Sequence, residues 1–196
     1  RLKQGGFPSL SVKIDAGSAG IGGLYYGIVG PDVTSLFQRL AAGEDIALNI
    51  STRLQAVEKP WLDGKTNHKV TVGEIRRKFL KDTRLPEISA ELQGFETGPV
   101  EAVQVGASKC TQHNDLHGEN VVFDAEDSGM VIDYNDAGPS FASVDPITLE
   151  LSVIFHKNHA QLGSVWPTVA NMQAWPDLDR YLQGCPFPTF VRQCRE

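Results

Sequence analysis

The stretch from Cys110 to His156 contains no lysine or arginine, yet its 47 residues carry nine carboxylates: Asp115, Glu119, Asp124, Glu126, Asp127, Asp133, Asp136, Asp145 and Glu150. Carboxylates at this density repel one another unless some face solvent and the rest surround a cation. A hard divalent cation, which takes oxygen ligands, meets that need. Any fold open to this chain must gather a subset of these acids at one place and turn the others outward.

The pattern within the stretch indicates which ones. Asn120 to Asp133 reads as a β-hairpin, with Val121-Val122-Phe123 and Met130-Val131-Ile132 as short apolar strands around the polar turn DAEDSG. If Phe123 pairs with Met130, Asn120 falls opposite Asp133, and facing residues have Cβ atoms about 5 Å apart. Asn120 and Asp133 then meet at the open end of the hairpin, where an amide oxygen and a carboxylate can share one Mg2+ or flank a pair. Asp115 sits on the loop entering the first strand and reaches the same spot without being locked in the ladder. In outline this is a phosphoryl-transfer site, where positioning and charge neutralisation matter more than covalent chemistry.

The segment His113-Asn114-Asp115-Leu116-His117-Gly118-Glu119-Asn120 resembles the catalytic loop His-x-Asp-Leu-His-x-x-Asn of the aminoglycoside phosphotransferase and choline kinase group. Val131-Ile132-Asp133-Tyr134 resembles the Ile-Asp-Phe/Tyr metal motif of the same kinase-fold enzymes. Firm matches cover about residues 111 to 156, with a looser match of hinge and first helix at 24 to 42. The resemblance implies that Asp115 is the catalytic base, that His113 orients the loop without acting as a nucleophile, and that Asn120 and Asp133 hold Mg2+ and through it ATP. Similar modules occur in bacterial conflict-system proteins. Asn114 and Gly118-Glu119 stand where the group commonly has Gly and Pro-Gly, and neither change removes a ligand.

The expected fold class is α+β and protein-kinase-like: a mostly helical C-terminal lobe with an internal catalytic β-hairpin, and an N-terminal lobe largely missing. Residues 1–30 read as a remnant of that lobe (last strands and hinge), and 31–196 as the C-terminal lobe. Ser9–Asp15 and Gly23–Val29 read as a strand pair, with Lys13 on the earlier strand, away from the position of a nucleotide-clamping lysine. Asp32 reads as the cap of a helix carrying Val33, Leu36, Phe37 and Leu40 and stopped by Gly43. A second helix is expected over Ile46 to Val57, ending before Pro60, then a loop over 60 to 70. Thr71 and Glu74 form a capping-box pattern opening a third helix, with Ile75, Phe79 and Leu80 as its apolar face. Asp145 and Pro146 read as cap and first-turn proline of another helix, with Ile147, Leu151, Ile154 and Phe155 on its buried side. The tail from Trp166 is expected to be partly helical.

Composition excludes other classes. The net charge of −6 argues against a nucleic-acid coat. The glycine-rich uncharged run between Asp15 and Asp32 holds six glycines in sixteen residues, too short and broken to span a bilayer. Three cysteines with no close pair suggest a reducing, cytoplasmic setting. The chain starts at Arg1, so a longer parent is expected. Gly17–Gly23 and Gly64-Lys65-Thr66 read as turns, since neither completes a phosphate loop. Zinc held by His113, Asp115 and His117 lacks further His or Cys at short spacing. A calcium loop from Asp133 fails at Val144, where a bidentate Glu is needed. The seven basic residues of 65 to 84 read as a solvated helix face, with an anion-binding patch as the alternative.

The expectation for function is an ATP-dependent phosphotransferase moving the terminal phosphate to a hydroxyl of a small molecule, or of a protein. The alternative is a catalytically inactive kinase-like interaction module in a multi-protein bacterial system, discriminated by the presence of a Gly-rich loop and strand lysine upstream.

Overall fold

The computed structural model describes residues 10–15, 22–26, 32–43, 59–91, 98–125, 129–157 and 165–195, the first two segments as backbone. It is a mixed α+β structure with three antiparallel sheets. β1 (Leu10–Asp15) pairs with β2 (Gly22–Tyr26), Lys13 facing Leu24, as the expected strand pair. The glycine-rich residues 16–21 and the helix expected over Ile46 to Val57 lie outside the described residues.

The second sheet carries the hairpin. β3 (Thr34–Ser35) pairs with β6 (Val121–Phe123), which pairs with β7 (Gly129–Val131). α1 (Leu36–Ala41) follows β3 directly, capped by Ser35 in a capping box with Gln38. The cap is therefore Ser35 and not Asp32, because strand pairing to β6 keeps residues 34 and 35 extended and delays the helix. Gly43 ends the turn at φ 76°, where a side chain would be strained.

The third sheet has the order β4 (Thr66–Thr71), β5 (Gln104–Gln112), β8 (Gly138–Phe141). Residues 59–62 are helical and 66–71 form β4, so the loop expected over 60 to 70 is corrected to a helical turn, a short exposed turn at Gly64-Lys65 and a strand. Pro60 is tolerated in that turn, where no described strand requires its missing N–H. α2 (Val72–Phe79) opens with the expected capping box, Thr71 Oγ1 accepting from Glu74 N–H and Glu74 Oε2 from Thr71 N–H. Its two arginines are paired: Arg76 with Glu101 and Asp82, Arg77 with Asp82. Arg84 pairs with Glu87 on α3 (Leu85–Glu91), and Glu101 ends α4 (Gly98–Glu101).

α5 (Val144–Phe155) is the central helix. Its N-cap is Ser143, and Asp145 lies inside the first turn. Its buried face is Val144, Asp145, Leu149, Glu150, Ser152 and Val153; of the expected face, Ile154 packs half-buried against the core, Ile147 and Leu151 are half-buried, and Phe155 is 67 % exposed. Polar side chains occupy buried positions because distant segments satisfy them. The tail forms α6 (Val169–Gln173), α7 (Leu178–Tyr181) and α8 (Pro188–Arg195). Leu36, Phe37, Leu116, Phe123, Leu149, Tyr181, Phe190 and Val191 share one core, joining α1, the hairpin, α5 and the tail. A smaller cluster of Val70, Phe141 and Val144, with Ile75 against it, closes the third sheet on α2. No helix among the described residues is long and apolar enough to cross a membrane.

Candidate active site

β5 leads into the loop 113–120, and β6 leaves it. The loop is held from three sides. Leu116 is buried in the core, fixing the segment between Asp115 and His117. The first N–H of α1, on Leu36, donates to the Gly118 carbonyl at 3.1 Å. α5 supplies the third support: Asp145 accepts the N–H groups of His113 and Asn114 at 2.6 and 2.8 Å, and Ser152 Oγ accepts that of Gly118 at 3.2 Å while donating to the Leu149 carbonyl. Asp145 and Ser152 are two turns apart on one face, so the helix splints both ends of the loop. Burial holds the Asp145 pKa above its ordinary value, and the two N–H donors offset only part of that rise. Both oxygens act as acceptors, which is the geometry of the ionised form.

Asp145 is thus neither a metal ligand nor the helix cap expected from the sequence, but a clamp on the loop. Gln112 joins it, its Oε1 accepting the Asp145 N–H at 3.1 Å. These residues, with Ser152, are the ones that sequence reasoning missed. The available signal was an acid and a serine at helical spacing beside apolar neighbours, whose partners lie more than 30 positions away.

Asn114 adopts φ 67°. Asn tolerates this left-handed conformation better than most side chains, so it replaces the common Gly without changing the backbone. It adds bonds that Gly cannot make, its Nδ2 reaching the carbonyls of Asp136 at 2.9 Å and Gly138 at 3.3 Å. At Gly118 a Cβ would overlap the Phe37 ring, so this departure preserves a close approach of loop and core.

The hairpin register differs by one from the expected pairing. Phe123 faces Gly129, Val122 faces Met130 and Val121 faces Val131. Gly129 enters the ladder, where its lack of a side chain leaves room for Phe123, and the strand begins one residue earlier. Ile132, not Asp133, therefore lies opposite Asn120, and its N–H donates to the Asn120 carbonyl at 3.0 Å. A one-residue slip turns side chains to the other face of a ladder. Asp133 lies just beyond it, exposed, in the left-handed region at φ 62° and ψ 62°.

The expected site residues are placed as follows. His113 is 1 % exposed, and its Nε2–H donates to the Ile132 carbonyl at 2.9 Å. Asn120 is buried, and its Nδ2 donates to the Asp115 carbonyl at 2.9 Å, assigning the nitrogen to the loop and leaving the oxygen as the acceptor end. The Asp115 side chain is 48 % exposed and opens onto a cleft. His117 Nδ1 accepts the Glu119 N–H at 3.2 Å, its Nε2 lies 3.8 Å from Asp115, and its ring stacks on His156 with centroids 4.6 Å apart. Burial lowers the His117 pKa. The structure brings Asp115 and Asn120 together directly, and ties Asp133 to both through Ile132 and His113. Among the described residues no three His, Cys, Asp or Glu side chains group as a metal cluster.

The arrangement presents a half-exposed carboxylate, Asp115, on a loop with little freedom that is tied through Asn120, His113 and Ile132 to the turn carrying Asp133. No curated protein matches the chain. Residues 42–179, more than half of the chain, match the model of the phosphotransferase enzyme family, APH, over a span containing the loop, the hairpin and α5. The chain therefore belongs to the phosphotransferase enzyme family.

Proposed function

We propose that the protein transfers the terminal phosphate of ATP to a hydroxyl of a small molecule. The observation that carries this reading is the double tie on Ile132, whose N–H goes to Asn120 and whose carbonyl accepts from His113. It couples the loop bearing Asp115 to the turn bearing Asp133, and phosphoryl transfer depends on such positioning.

Asn120 and Asp133 would hold Mg2+: an amide oxygen and a carboxylate form the hard-oxygen donor set that this ion takes, with phosphates and water completing it. When bound, the ion neutralises charge on the phosphates. Asp115 accepts the proton of the acceptor hydroxyl as its oxygen attacks the terminal phosphorus, and ADP departs. His113 acts through the backbone, holding the Ile132 carbonyl and so the direction of the following Asp133. In this reading the protein is kinase-like, β1 and β2 belong to the remnant of an N-terminal lobe, and residues from 31 onward form the lobe that carries the chemistry.

The test is Mg2+-dependent ATP binding by the full chain and by Asp133→Ala, read by calorimetry. The wild type binds only with Mg2+, and the variant loses that dependence. Equal binding by both proteins would remove Asp133 from the metal site.

A further inference from the structure

Beside Asp115 lies a cleft of about 330 Å³ between the end of α2 and the exposed side of α5. Phe79 and Phe155 line it from these two helices, and they are 49 % and 67 % exposed. Leu151 lies between them along the same wall. Leaving two phenyl groups open to water is unfavourable by about 25 cal/mol per Å² of apolar surface, and here both border one cavity.

The polar groups of the wall are largely engaged within the protein. Ser152 Oγ accepts from the Gly118 N–H and donates to the Leu149 carbonyl. His117 Nδ1 accepts from Glu119, and the His117 ring lies against His156. Among the lining residues Asp115 is the one carboxylate. Among the described residues no second acid lines the cleft, and its walls are otherwise mainly the apolar side chains of Phe79, Leu151 and Phe155.

We propose that this cleft seats the phosphate acceptor and that the acceptor is an alcohol with an uncharged, apolar body. The inference rests on the phosphotransfer reading above. The hydroxyl meets Asp115, and the body lies against Phe79, Leu151 and Phe155. The hydroxyl oxygen forms a bond to the terminal phosphorus of a nucleoside triphosphate. The bond from that phosphorus to the bridging oxygen breaks, its electron pair leaves with the nucleoside diphosphate, and the hydroxyl proton passes to Asp115.

The test uses two probes of one shape, choline and 3,3-dimethyl-1-butanol, the alcohol carrying a carbon where choline has its quaternary nitrogen. Binding to the full chain is measured by ligand-observed NMR titration. The uncharged probe binds at least about tenfold more tightly, because the two phenyl rings return only part of the hydration that the cation gives up. Phe155→Ala and Phe79→Ala, both at exposed positions, each weaken it at least about threefold, the effect of losing part of one phenyl contact. Val169→Ala, outside the cleft, leaves it unchanged.

Choline binding as tightly as the alcohol, binding of neither probe, or indifference to both phenylalanine variants overturns the proposal. Mg2+-dependent ATP binding, read separately with Asp133→Ala, tells the two claims apart. ATP binding intact with choline preferred overturns the acceptor class alone. Alcohol binding without ATP binding overturns the phosphotransfer reading, and with it the cleft's role as an acceptor site.

Discussion

Asp145 Oδ2 accepts the backbone N–H of His113 at 2.6 Å, across 32 positions of sequence, from a side chain with no exposure to solvent. The same carboxylate takes the N–H of Asn114 through its other oxygen. Asp145→Ala leaves two buried N–H groups without an acceptor, and should destabilise the fold by about 2–4 kcal/mol. Asp145→Asn keeps the shape but presents an NH2 to one donor and should lose a substantial part of that stability. Chemical denaturation measures both, and an alanine variant as stable as the wild type would show that α5 does not hold the loop.

Asn114 sits in the left-handed region and bonds two carbonyls through its side chain. Asn114→Gly keeps the backbone conformation and gives up only those bonds. Asn114→Ala gives up the bonds and adds left-handed strain of about 1–2 kcal/mol. The alanine variant should therefore be the less stable of the two by about 1 kcal/mol. The reverse order in thermal melts would contradict the assigned conformation.

His117 titrates below its ordinary value of 6.5, chiefly through burial, with nearby Asp115 and Glu119 pulling the other way. The unfolded chain therefore binds a proton at His117 before the folded protein does. Stability due to the neutral ring is fully present above 6.5 and declines as the pH falls through 6.5 towards the lowered folded value. The unfolding free energy of the wild type should rise more steeply with pH across this window than that of His117→Gln. Parallel slopes in the two proteins would mean that the ring is not held neutral by burial.

Arg195 forms a two-point ion pair with Glu150, which is 1 % exposed, while its guanidinium lies 3.9 Å from the Trp175 ring centroid and 4.5 Å from that of Tyr181. Removing either partner strands a buried charge, and Arg195→Ala should destabilise the protein by about 3–5 kcal/mol. Arg195→Lys keeps the charge but not the planar fork and should recover only part of the loss. Double-mutant cycles with Glu150→Ala give the coupling directly, and a coupling near zero would rule out the pair as an anchor of the C-terminal helix.

What was legible in the sequence was local or repeated in register. The Thr71 and Glu74 box needs only three residues of spacing, and α2 starts where it indicates. The loop residues from His113 to Asn120 announce themselves by their order, and the family match spans them. The hairpin was legible but its pairing was not, because Gly129 counts as turn by composition and as strand by its contacts. β5 escaped notice because Gln104–Gln112 carries small and polar side chains on an edge-to-centre strand paired on both sides. The buried face of α5 was misread because apolar periodicity is blind to Asp145, Glu150 and Ser152, whose burial is licensed by partners elsewhere in the chain.

α5 carries two tasks on neighbouring faces. Asp145 and Ser152 hold the loop, Ser152 at the edge of the cleft wall, whereas Leu151 and Phe155 border the cleft without touching the loop's hydrogen bonds. With the cleft as the acceptor site proposed above, substitutions along the second strip would retune what is recognised while the first strip keeps the loop in place. A lineage using this scaffold can explore new substrates one surface residue at a time, without passing through variants whose chemistry has collapsed.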